Sequence, residues 1–122
     1  VYAPILVFNF KEKNDSTNLF FGTKKKYSAA QLSAYALKSE DTILIKLNME
    51  INYNSKDSSF ITNFETYMNK IYFKVDNNVF DSIYLDYNKI SSACTNGSEI
   101  NNVNHNGKSV YTDSNYIYNF YK

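Results

Sequence analysis

The 122-residue chain contains no arginine and no tryptophan, and only one cysteine (Cys94), one histidine (His105), one proline and three glycines. A lone cysteine excludes an internal disulfide framework and a cysteine-based structural zinc site. The glycines stand at 22, 97 and 107, so there is neither a phosphate-cradling loop nor a dinucleotide fingerprint. The basic residues are thirteen lysines that balance twelve acids to a formal net charge of +1. Nucleic-acid binders carry a marked basic excess and favour arginine for phosphate and guanine, so no nucleic-acid partner is expected. No stretch approaches the roughly 20 apolar residues that cross a bilayer as a helix, so no membrane span is expected within this segment. No spacing matches an EF-hand, a zincin or a glycosidase pair, and neither a cofactor nor a metal is expected.

What is abundant is asparagine, eighteen residues, with twelve tyrosines and ten isoleucines beside the lysines. These residue types have AT-rich codons, and the composition predicts a bacterial origin in an AT-rich genome. The hydrophobic fraction of 43% and aromatic fraction of 17% exceed what disordered chains carry. No repeat or composition shift divides the chain, so residues 1–122 are expected to form a single globular domain with one core. Val1-Tyr2-Ala3 places small residues as they stand before a signal-peptide cut, which points to a periplasmic or secreted protein with a signal peptide or anchor upstream; a cytoplasmic location stays open.

Hydrophobic patterning supplies the elements. From Thr42 to Asn54 every odd position is apolar or aromatic, which predicts one long half-buried antiparallel strand. Ser28 with Gln31 forms a capping-box signature with Tyr27 as a staple, predicting a helix from Ala29 to Lys38 that buries Ala29, Leu32, Tyr35 and Ala36. Ile61, Phe64, Met68 and Ile71 recur at spacings of three, four and three, predicting an amphipathic helix between Ser58 and Ile71. Hairpins are expected for Ile5–Lys11 with Leu19–Thr23, for Ile71–Val75 with Val79–Asn88, and around Asn106-Gly107, the strongest short hairpin signal. A last strand is expected from Tyr116 to Tyr121. The predicted fold class is α+β: a mainly antiparallel curved sheet, or a small partly closed β-barrel, with one or two helices packed on it.

The chemistry-bearing residues are sparse. His105 sits at a predicted hairpin tip, where a general base has neither pocket nor orienting partner, and it reads as an exposed turn histidine. Asp81 and Asp86 fall on opposite faces of one predicted strand and cannot form a close pair. Ser109, His105 and Asp113 can be written as a triad, but such residues are too common here to give that weight. Lys24, Lys25 and Lys26 read as a solvated edge. The aromatic surplus in the C-terminal half is more informative. Alternation sends one set of rings into the core and leaves tyrosines on the opposite face, and tyrosine combines a large contact area with a polar handle. Tyr84, Tyr87, Tyr111, Tyr116, Tyr118 and Phe120 are the candidate binding residues. The uncharged segment Tyr116–Tyr121 must be internal to the sheet or covered, because an open edge of that composition invites aggregation.

The expectation is a non-enzymatic extracytoplasmic binding module, such as a sensor or an accessory or regulatory subunit. It would take a small apolar ligand or a partner protein through its sheet. The alternatives are a structural or assembly subunit of a pilus, capsid or surface layer, a cytoplasmic immunity or inhibitor protein, and, last, a small hydrolase using His105.

Overall fold

A computed structural model describes residues 5–38, 43–53, 58–63, 68–91 and 96–122. Ten strands form two sheets: β1 (Ile5–Lys11), β2 (Leu32–Lys38), β3 (Leu44–Lys46), β4 (Met49–Asn52), β5 (Ser59–Asn63), β6 (Met68–Val75), β7 (Asn78–Ser91), β8 (Asn96–His105), β9 (Lys108–Val110) and β10 (Tyr118–Tyr121). The smaller sheet runs β10-β1-β5-β4 and the larger β3-β2-β6-β7-β8-β9. Every neighbouring pair is antiparallel except β1 with β10, which run parallel from Phe8↔Tyr118 to Lys11↔Tyr121.

The sheets face each other across an aromatic core. Phe8, Phe10, Phe60 and Phe120 from the smaller sheet and Phe73 from the larger are fully buried, as is Phe20 from the β1–β2 connection. Phe73 touches the opposite sheet at 5.0 Å from Phe8 and 5.0 Å from Phe10, centroid to centroid, and Phe20 lies 5.4 Å from Phe60. Each buried Phe contributes about 1.5–3 kcal/mol over an exposed one, so these rings hold the two layers together.

Among the described residues the architecture is therefore nearly all β and corrects the α+β expectation: two open sheets, not closed into a barrel, with no helix packed on them. The Ser28 capping box forms as expected, with Gln31 Oε1 accepting from Ser28 N at 2.8 Å, but it starts a single 3-10 turn, Ala29–Gln31. The chain then extends as β2, burying Leu32, Ala34 and Ala36 in strand alternation. Ala34 pairs with Phe73 and Ala36 with Ile71, so the alanines make room for large neighbours on the next strand. Tertiary pairing outweighs their helix propensity.

The described part of the second expected helix is also strand. Its spacing of three and four joins residues from two separate strands: Ile61 lies on β5, and Met68 and Ile71 lie on β6, with Phe64 outside the described residues. The inward positions of β5 are Phe60 and Thr62, and the buried Thr62 hydroxyl donates to the Asn48 carbonyl at 2.8 Å. A satisfied threonine on the core face hides the alternation that would have marked the strand.

Of the long strand expected at 42–54, the described part is two short ones that enter different sheets. The break comes at Leu47-Asn48, where Leu47 N donates to Ala34 O at 2.9 Å and the Leu47 side chain is buried. Side-chain parity survives the break, with Ile45, Met49 and Ile51 half-buried against the core. The segment Leu19–Thr23 is not a strand. Asn18 Oδ1 accepts from Phe20 N at 3.0 Å and Phe21 N at 3.1 Å, a local turn that sends the consecutive Leu19 and Phe20 inward. The β6–β7 and β8–β9 hairpins are present, with Asn106 and Gly107 at φ 54° and 78°.

Strand β10 starts at Tyr118, because Tyr116 turns the chain at φ 62°. It lies at the edge of the smaller sheet, where the chain's own preceding loop reaches it through the Thr112↔Tyr118 bridge and Asp113 N to Ile117 O. Among the described residues no helix is long and apolar enough to cross a membrane.

Candidate functional site

Alternation on the larger sheet separates two faces. On β6, Ile71 and Phe73 point into the core, so Lys70, Tyr72 and Lys74 project outward. On β2 the outward residues are Ser33, Tyr35 and Leu37, and on β7 they include Ser82, Tyr84 and Asp86. Register aligns them in rows across the sheet: Lys46, Tyr35, Tyr72 and Ser82 in one, and Leu44, Leu37, Lys70, Tyr84 and Asn104 in the next.

Lysine and tyrosine interlock on this face. Lys70 Nζ lies 4.7 Å from the ring centroid of Tyr72 and 4.7 Å from that of Tyr84, and Lys74 Nζ lies 4.7 Å from that of Tyr35. Such contacts are worth about 0.5–1 kcal/mol each at exposed sites, enough to order a long side chain without removing it from solvent. Hydrogen bonds to Tyr72 and Tyr84 hold the Lys70 ammonium above the ordinary lysine value. The result is a cationic and aromatic surface on which each of these lysines rests against a ring.

The other expected tyrosines lie elsewhere. Tyr111 and Tyr116 are more than four-fifths exposed on the loop between β9 and β10. Tyr118 is half-buried and stacks on Phe120 at 6.5 Å, and burial pushes its phenol above the usual tyrosine value. Phe120 is fully buried. Tyr87 belongs to β7, where its backbone pairs with Ile100, but its side chain lies outside the described residues. Of the six candidates only Tyr84 is brought to the lysine–tyrosine face among the described side chains. Tyr35, expected to pack inward on a helix, instead projects outward because the segment is strand β2, where Leu32, Ala34 and Ala36 take the inner face. Lys70 and Lys74 were not singled out from sequence, and their signal was the strict alternation Lys70, Tyr72, Lys74 against Ile71, Phe73.

His105 departs from the expected exposed turn residue. It is the last residue of β8, pairs with Lys108 across the Asn106-Gly107 turn, and is only 7% exposed. Its ring faces inward 5.1 Å from Phe120, and Nε2 lies 2.7 Å from Asp81 Oδ2. Asp81 shares the inner face of β7 with Ile83, while Asp86 projects outward, as the sequence parity requires. His105 borders an open cleft of about 800 Å³ lined also by Lys13, Lys108, Asn119 and Tyr121. Asp113 is committed elsewhere: its carboxylate accepts from Asn115 N at 2.8 Å, Ile117 N at 3.2 Å and Asn119 Nδ2 at 2.9 Å. Ser109 pairs with Asn104 on the outward side of β9, whereas His105 points inward, so the three are not aligned as a relay.

A second open cleft, of about 650 Å³, lies where the chain passes from β3 to β4 and is bordered by Tyr35, Lys46, Leu47, Met49, Phe60 and Asp76. Among the described residues, no three His, Cys, Asp or Glu side chains converge as a metal-ligand set would. Cys94 lies outside the described residues, and the lysine triplet is exposed, with Lys26 paired to Glu12.

No family model, curated protein or solved structure matches the chain.

Proposed function

We propose that this chain is a non-enzymatic binding module that engages a partner protein through the outer face of its six-stranded sheet. The observation that carries this reading is Lys70, held between Tyr72 and Tyr84 at 4.7 Å from each ring centroid, with Lys74 over Tyr35 beside it. Tyrosine supplies contact area at low entropic cost, and lysines already held by rings have less freedom to lose on association. A partner protein is favoured over a small apolar ligand by the way the layers pack. Phenylalanine rings fill the space between the sheets, and the two clefts are open and bordered by charged side chains.

The test places a photo-crosslinking amino acid at position 84 and, separately, at the exposed loop position 24, and irradiates each protein in an extract of its host. A discrete adduct from position 84 and none from position 24 is expected. Equal capture from both positions, or none from either, refutes the reading.

A further inference from the structure

Three ammonium groups surround the centre of the outer face. Lys70 and Lys74 flank Tyr72 along β6, and Lys46 stands two strands away, in the same row as Tyr72. Among the described strand side chains of this face Asp86 is the one acid, and Asp76, in the β6–β7 turn beyond Lys74, accepts from Gln31 Nε2 at 3.0 Å. Four residues along a strand separate the two Cα atoms by about 13 Å, and the two ammonium groups rest over different rings, Lys70 over Tyr72 and Tyr84 and Lys74 over Tyr35, so they offer two separate anchor points. Carboxylates displayed four residues apart on an extended partner chain have the matching spacing.

The rings decide between the macromolecules that carry such charges. A single-stranded nucleic acid binds a sheet by stacking bases on free aromatic faces. Here Tyr72 and Tyr84 each have a face covered by Lys70, and Tyr35 has one covered by Lys74, so stacking there would have to displace the lysines. A carboxylate needs no such displacement. It meets the ammonium from the solvent side while the ring stays in contact from below.

We infer that the partner presents an acidic protein segment to this face, with its carboxylates meeting Lys70 and Lys74 above Tyr72. The inference rests on the partner-protein reading above and adds the chemistry of the partner.

The test measures binding of fluorescently labelled poly-L-glutamate and of an oligo-dT of equal length to the whole chain by anisotropy, at low and at physiological salt. Two double variants remove the same charge: Lys70→Gln with Lys74→Gln on the face, and Lys24→Gln with Lys25→Gln on the loop. The expected result is poly-L-glutamate binding that weakens with salt and falls at least about tenfold in the face variant while the loop variant matches wild type. Equal loss in both variants, or tighter binding of oligo-dT, overturns the inference. If poly-L-glutamate fails to bind while position 84 still crosslinks a partner, the acidic chemistry is wrong and the protein-binding face stands. If the crosslink fails too, both fall.

Discussion

Replacing the buried pair of Asp81 and His105 by apolar residues of similar shape should leave stability nearly unchanged, whereas replacing either alone should be costly. Their side chains are 8% and 6% exposed, so solvent contributes little to either group. His105→Phe keeps a ring against Phe120 but leaves a buried carboxylate with the Ser82 N–H at 2.9 Å and without its imidazole partner, a loss of about 3–5 kcal/mol. Asp81→Leu removes the acceptor from a buried ring nitrogen, about 1–3 kcal/mol. Independent effects would sum to about 4–8 kcal/mol, much of the stability of a domain this size. The double variant Asp81→Leu with His105→Phe instead packs a leucine beside a phenylalanine and should fall within about 1 kcal/mol of the parent, a coupling of at least about 3 kcal/mol. Urea unfolding followed by circular dichroism resolves this, because with a slope of about 2 kcal/mol per molar the His105→Phe loss alone moves the midpoint by about 2 M. A double variant as unstable as the summed singles would refute the argument. The pair would then hold the start of β7 against the end of β8 through geometry that shape-matched apolar residues cannot replace.

Phe73→Ala removes the ring that bridges the sheets and should cost about 3–5 kcal/mol, lowering the melting temperature by more than about 10 °C in calorimetry. Ser28→Ala, by contrast, breaks a real capping box that supports only one exposed turn, and a urea midpoint corresponding to less than about 1 kcal/mol is expected. Asp113 is pushed up by burial but pushed further down by hydrogen bonds from Asn119, Asn115 N and Ile117 N, so its carboxyl lies below the ordinary aspartate value. Its contribution to holding the loop before β10 is therefore complete above the unfolded value and is lost as pH falls through the folded one. The amide resonances of Asn115 and Ile117 should titrate with a midpoint below that of an unperturbed aspartate, and a midpoint at or above it would contradict the assignment.

What the sequence made legible depended on how far apart the deciding residues lie. The Asn106-Gly107 turn and the Ser28–Gln31 box involve two and four adjacent residues, and both form locally as their chemistry requires. Whether the box continues into a helix is decided about forty residues away, where β6 pairs with Leu32–Lys38 and sets Phe73 opposite Ala34. Small residues that favour a helix in isolation favour a strand once the neighbour is large. His105 fails for the same reason: its turn is local, but its burial is set by Asp81 and Phe120, which come from β7 and β10.

The lysine–tyrosine face is the extreme case. Lys70, Tyr72 and Lys74 alternate plainly, yet alternation on one strand says only that they share a side. That Tyr84 stands beside Lys70, and that Tyr35 stands beside Tyr72 within reach of Lys74, follows from the registers of β6 with β7 and with β2. A one-residue slip in the β6–β7 register would send Tyr84 to the core side and separate it from Lys70. The face is thus a property of the pairing, and the core that fixes the pairing, through Phe73 and Ile71 on the opposite side of the same strand, also holds the lysines above their rings.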